Sequence, residues 1–183
     1  ELTILGIEEL YLKSFLDKVK ALGAGYDIFP QSIKFRGSDK YDPLNIETSP
    51  HPGFMTDWQQ PMGVLLTQAR GESIIHETVY EDRFGYTKDL NKLGAKIQIS
   101  DDCLGNPCRF SGQHFKHSAR IRGSSKLQGG ELSITDIRAG MAHIIAALVA
   151  EGESVISGVE HIDRGYEKLD ERLKMLGADI RRI

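Results

Sequence analysis

The feature that most constrains this chain is that it repeats itself, because a fixed period dictates one supersecondary unit used several times in a single fold. Glu72-Ser73-Ile74-Ile75, Asp82-Arg83 and Leu93-Gly94-Ala95 lie over Glu153-Ser154-Val155-Ile156, Asp163-Arg164 and Leu176-Gly177-Ala178. The same 81 residues separate Glu72 from Glu153 and Arg83 from Arg164, whereas 83 separate Leu93 from Leu176, so the last helix carries two extra residues. A weaker copy opens the chain as Glu1-Leu2-Thr3-Ile4 and Leu22-Gly23-Ala24, with Leu12 where the arginine would stand. A second element recurs as Thr56-Asp57 and Thr135-Asp136, each opening an apolar stretch that runs into Gly-Glu-Ser.

The unit therefore reads Thr-Asp, helix, Gly-Glu-Ser strand, Asp-Arg loop, helix, Leu-Gly-Ala strand and a strand-rich return. The expected division is one domain, 1–183, with units at about 1–55, 56–134 and 135–183, the first incomplete. A chain that opens inside a strand without its partner helix is expected to be a piece of a longer protein. At 183 residues and 40% hydrophobic content it can bury one core. A formal charge of −3 gives no electrostatic case for nucleic acid. No run reaches the roughly 18 apolar residues of a membrane span, and two cysteines are too few for a disulfide scaffold, so a cytoplasmic location is expected.

Local patterns place the elements. Leu12, Phe15, Leu16, Val19 and Leu22 share one helical face, and Gly23 supplies a left-handed stop. Residues 38–56 hold three of the six prolines, so Asn45 to Thr48 is at most a short strand before a rigid loop that delivers Asp57. Thr56 and Gln59 could form a capping box, but Pro61 predicts a distorted first turn or a helix that begins near Pro61. Ile137 to Ala150 is apolar on most sides, as a helix buried among others would be. The closing run after Leu176-Gly177-Ala178 reads as a short strand. Cys103, Cys108, His114 and His117 read C-x4-C-x5-H-x2-H, a spacing tighter than finger-type zinc sites. An exposed basic hairpin is expected there, with no metal and no cofactor assigned.

The candidates for chemistry are the charged residues that recur at one place in each complete unit. Asp57 and Asp136 fall at helix mouths, and Arg83 and Arg164 fall in the loop after a strand. If rotation relates the units, these charges collect at one end, where helix N-termini and Arg83, Arg138 and Arg164 would make an anion site. Each residue alone also has a local reading, as a cap or an ion pair. Glu77 and Glu81, flanking the same loop, are expected to be solvated or paired with arginine.

At these residues the sequence resembles the UDP-N-acetylglucosamine enolpyruvyl transferases. The matching stretches are Pro50 to Asp57, Glu77 to Phe84, Thr135 to Gly140 and His161 to Glu167, in the family's order. The resemblance implies an α/β fold, an inside-out α/β barrel of three β-α-β-α-β-β units with helices inside and sheets outside, forming one domain of a two-domain enzyme. It implies transfer of the carboxyvinyl group of phosphoenolpyruvate to the 3′-hydroxyl of UDP-N-acetylglucosamine, with release of phosphate, in peptidoglycan synthesis. The partners implied are those two substrates and a second domain of the same protein.

Carried over, Asp57 would bind the sugar hydroxyl and accept its proton, and the backbone of Val79 would touch the sugar nucleotide. Arg83, Arg138 and Arg164 would hold the phosphoenolpyruvate anions and steady the intermediate, and Asp136 would orient the arginines or the bound intermediate. Asp57 and Arg164 are thus the residues implied as catalytic. The family's loop cysteine or aspartate and its phosphate-binding lysine belong to the other domain, and Cys103-Leu104-Gly105 is not that loop. Trp58, Gln60, Pro61 and the enlarged 97–134 region depart from the best-known members and point to a divergent subgroup. Shikimate 3-phosphate as acceptor, and a non-catalytic sugar-nucleotide-binding paralogue, stay open as alternatives.

Overall fold

The computed structural model describes residues 1–105 and 108–183. Its elements follow the repeat. The second unit is complete: β4 (Asn45–Glu47), α2 (Thr56–Leu66), β5 (Gly71–His76), α3 (Thr87–Lys92), β6 (Lys96–Ser100) and β7 (Ser118–Gly123). They form a four-stranded sheet in the order β4-β5-β7-β6, with β4 parallel to β5 and both β7 pairings antiparallel. The first unit gives β1 (Leu2–Leu5), α1 (Lys13–Ala21), β2 (Gly25–Phe29) and β3 (Ser32–Arg36), ordered β1-β3-β2. That is the same order as β5-β7-β6, so the first unit repeats the back half of the second.

The third unit repeats the front half. Its β8 (Glu131–Ser133), α4 (Ile137–Val149) and β9 (Val155–Ser157) place β8 parallel to β9, and α5 (Glu160–Asp163) and α6 (Leu169–Met175) follow. Register is also kept. Asn45 faces Ile74 as Glu131 faces Val155, and the amides of Thr48 and Ile134 both donate at 2.9 Å to the carbonyl one step along, of His76 and Ser157. Because β4 and β8 pair forward with β5 and β9, the divisions at residues 55 and 134 cut each unit one strand late.

The three Leu-Gly-Ala copies end their helices identically, with Gly23, Gly94 and Gly177 at φ of +92°, +103° and +96°. In each, the alanine amide donates back to the carbonyl five residues earlier, at Val19, Leu90 or Leu173, closing the Schellman geometry that a left-handed glycine permits. Two expectations fail. Residues 178–183 form no strand, since no described strand pairs with them. Helix α2 runs unbroken through Pro61, starting at Thr56 with Met55 as its N-cap and no capping box. A proline there withholds a single amide from the ladder, and packing of the buried α2 face outweighs that loss.

The core is one cluster that runs from Leu22 through Ile46, Leu66, Ile75, Leu90 and Ile121 to Leu132 and Ala142. Helix α2 packs along α4, and α4 also meets α3 and α5. Ala139, Ala142 and Ala146 are buried, but Leu148 and Val149 at its end are exposed, so α4 is enclosed only over its first three turns. Among the described residues, no helix is long and apolar enough to cross a membrane.

Candidate functional site

The α2/α4 packing brings two helix N-termini side by side, and the charges on their first turns meet there. Asp57 Oδ1 accepts from Arg83 Nη2 and from Arg138 Nε, each at 3.0 Å. Asp57 and Arg138 are 81 positions apart in the chain. Asp57 remains 63% exposed, and ion pairs at such exposure contribute little to folding, so the cluster is not explained as a stability device. Among the described residues, Asp57 Oδ2 has no donor, which leaves one carboxylate oxygen facing solvent.

Arg83 is fixed on three sides. Its Nη2 donates to Asp57, its Nε donates to Thr56 Oγ1 at 3.3 Å, and its guanidinium lies 4.7 Å over the Tyr80 ring. Thr56 in turn donates its hydroxyl to Glu77 Oε2 at 2.9 Å. Glu77 is the residue that sequence reasoning misplaced. It is fully buried rather than solvated, and among the described residues it pairs with no arginine. Its Oε1 accepts from Thr48 Oγ1 (2.8 Å), Val79 N (2.8 Å) and Tyr80 N (3.2 Å), four donors in all with Thr56. A buried carboxylate with that many donors is satisfied, and it ties the loop after β5 to the first turn of α2.

One sequence signal could have found it. Glu77 aligns with Gly158 and Thr48 with Ile134, so the carboxylate and its hydroxyl partner occur in one unit only. A charged residue present in one copy alone departs from the repeat and marks that unit as different.

The other expected residues are placed as follows. Asp136 is the N-cap of α4 and accepts from the amides of Arg138 (2.9 Å) and Ala139 (3.0 Å). It orients Arg138 through the helix start and not through the guanidinium. Both backbone groups of Val79 are engaged, its N–H with Glu77 and its carbonyl with Arg109 Nη1 at 2.9 Å. Arg164 is exposed at the C-terminal end of α5, and among the described residues its guanidinium has no partner, so the structure does not bring it into the Asp57 cluster. Its neighbours Gly165 and Tyr166 do line a cleft of about 350 Å³ with Asp57 and Arg138. A second cleft, of about 310 Å³, is lined by Arg83, Asp136, Arg138 and His143. Arg138 borders both. An oriented carboxylate oxygen beside two positioned guanidinium forks can hold an anion and receive a proton from a neighbouring hydroxyl.

The excursion between β6 and β7 is a hairpin as expected, but it is not simply exposed: Phe110 and His117 are buried, while His114 is exposed and faces Asp101 at 3.8 Å. His76, from β5, joins Cys108 and His117 instead of His114.

The chain is 49% identical over 177 residues to the UDP-N-acetylglucosamine 1-carboxyvinyltransferase of Protochlamydia amoebophila, covering 96% of this chain and 38% of that protein. It is 43% identical to the enzyme of the same name from Chlamydia abortus, covering 94% and 40%. The chain thus spans about two fifths of the length of these relatives. Among solved structures, the enolpyruvyl transferase NikO from Streptomyces tendae matches with a TM-score of 0.79 at 27% identity, over 93% of this chain and 36% of that one. EPSP synthase from Acinetobacter baumannii shares the fold at TM-score 0.67 and 16% identity, over 99% of this chain and 40% of that one. Residues 3–173 match the family model of EPSP synthase (3-phosphoshikimate 1-carboxyvinyltransferase), and the chain belongs to that family.

Proposed function

We infer that the protein transfers the carboxyvinyl group of phosphoenolpyruvate to the 3′-hydroxyl of UDP-N-acetylglucosamine, releasing phosphate, and that this chain supplies one wall of the reaction cleft. The observation that carries the reading is Asp57 Oδ1 shared by Arg83 and Arg138 across two helix N-termini, in a chain of this family. The free Oδ2 of Asp57 is the base for the acceptor hydroxyl. Arg83 and Arg138 keep N–H groups for the carboxylate and phosphate of phosphoenolpyruvate, and the unengaged guanidinium of Arg164 completes the set when the cleft closes. Because one carboxylate oxygen fixes both arginines, the base and the anion site keep a set separation, the kind of prepositioning that lowers a bimolecular barrier.

In this reading the units form an inside-out α/β barrel, with α2 and α4 inside and the sheets outside, and the second domain of the same protein forms the opposite wall. The reaction belongs to the cytoplasmic stage of peptidoglycan synthesis. Identities of 43–49% to UDP-N-acetylglucosamine 1-carboxyvinyltransferases favour that acceptor over shikimate 3-phosphate.

The test is phosphate release from phosphoenolpyruvate by the full-length protein. UDP-N-acetylglucosamine should support turnover and shikimate 3-phosphate should not compete. Asp57→Ala should retain nucleotide binding and lose about 100-fold or more in rate, the scale of a positioned general base. A near-normal rate would remove Asp57 from that role.

A further inference from the structure

Strands β4, β5 and β7 end at one edge of their sheet and present Glu47, His76 and His117 together. Glu47 and His76 are direct partners across the parallel pair, and His76 faces Ser118, the residue after His117. The excursion from β6 returns to this edge and brings Cys108 Sγ to 3.3 Å from His117 Nε2. His76, Cys108 and His117 then have ligand atoms within 4.8 Å of one another.

Both imidazoles are oriented by groups outside the cluster. His117 Nδ1 lies 2.8 Å from the carbonyl of Phe115, which can only accept, so Nδ1 carries the hydrogen and Nε2 presents a lone pair. His76 Nδ1 lies 3.3 Å from Glu47 Oε2, which fixes the same tautomer. His76 Nε2 is left buried with no hydrogen-bond partner among the described residues, on a side chain only 2% exposed. A buried nitrogen in that state costs about 1–3 kcal/mol unless something accepts its lone pair. A carboxylate or carbonyl behind each histidine is the arrangement that orients metal-binding imidazoles.

We propose that His76 Nε2, His117 Nε2 and Cys108 Sγ, with Cys103 Sγ as the fourth ligand, form a structural zinc site that staples the 101–117 excursion to the sheet. Two thiolates and two imidazoles are a tetrahedral zinc donor set. Bonds of about 2.3 Å to sulfur and about 2.0 Å to nitrogen hold neighbouring ligand atoms about 3.5 Å apart, and Cys108 and His117 already stand at that spacing. Cys103, exposed and five residues before Cys108, lies outside this close trio and is the other free thiol of the chain that could complete the set. Gly105, between the two cysteines, passes so close to Glu47 and His76 that a Cβ there would sit 2.0 Å from both Glu47 Oε2 and His76 Nδ1. On binding, each cysteine releases its thiol proton to solvent and the resulting thiolate bonds the metal, with no change of oxidation state.

The test uses the purified protein with a thiol reductant, titrated with cobalt(II) as a spectroscopic probe and then with zinc as competitor. One cobalt per chain, with tetrahedral d–d absorption and a thiolate charge-transfer band that zinc abolishes, is expected. Cys103→Ser with Cys108→Ser should lose the charge-transfer band, and Glu47→Gln should weaken zinc by about 10- to 100-fold while leaving the ligands in place. No tetrahedral spectrum from the wild-type protein, or an unchanged spectrum from the double variant, overturns the proposal. So does a Cys103–Cys108 disulfide that forms without reductant if the reduced protein takes up no metal. The wild-type spectrum needs no variant to fold, and it is independent of the carboxyvinyl transfer reading.

Discussion

At the scale of single residues, the site depends on a relay in which Glu77 holds Thr56, Thr56 holds Arg83, and Arg83 with Arg138 holds Asp57. Asp57 and Arg83 were legible as candidates because they recur as Asp136 and Arg164, and Arg138 because it follows a recurring Thr-Asp pair; Glu77 was expected to be solvated or paired with arginine, because its hydroxyl donors come from residues up to 29 positions away. Glu77→Gln replaces one acceptor oxygen with an amide that cannot accept from the Thr48 or Thr56 hydroxyls or from the loop amides. It should lower stability by about 1.5–3 kcal/mol, read as a shifted urea midpoint at unchanged slope. A variant as stable as the parent would mean that the buried network contributes nothing.

At the scale of elements, equivalent helices begin differently. Asp136 caps α4 from outside its first turn, whereas α2 starts a residue earlier, at Thr56, so Asp57 lies within the turn and its side chain is free to reach the arginines. Thr56 is drawn into α2 by its bond to Glu77, whereas the position equivalent to Glu77 in the third unit is Gly158, which has no side chain to accept from Thr135. The buried face of α4 adds a pH dependence. His143 is buried with its Nε2 3.3 Å from Asp89 Oδ2, and Asp136 and Lys92 are the other charges near it. Burial lowers the His143 pKa below 6.5, against the pull of the two aspartates. The unfolded chain therefore takes up this proton first, so the His143 contribution is fully present above about pH 6.5 and is lost as pH falls through the depressed folded value. Unfolding free energies measured between about pH 7 and pH 5 should fall less steeply for His143→Gln than for the parent. Equal slopes would show that another group governs that window.

At the scale of the whole molecule, a repeated sequence need not unfold repeat by repeat. In an extended array each unit meets only its neighbours, but here a single core joins all three units and α4 packs on both α2 and α3. Trp58, the one tryptophan, reports on this: its ring lies 5.4 Å from Phe15 of the first unit and 5.5 Å from Phe54. Its fluorescence should therefore change in the same transition as far-ultraviolet circular dichroism, with one midpoint. An earlier fluorescence midpoint would mean that the first unit detaches by itself. The sequence by itself determined the repeating unit, its succession of helices and strands, the glycine-ended helices and the family, because those depend on neighbours in the chain and on the periodicity of apolar residues. Only the tertiary structure decided which contacts these residues make: Asp136 spent on capping a helix while Asp57 reaches two arginines, Arg83 and not Arg164 as the anchored arginine, His76 and not His114 beside Cys108 and His117. Those choices rest on contacts between residues as many as 81 positions apart, and on a buried carboxylate present in one unit alone, and neither leaves a periodic trace in the chain.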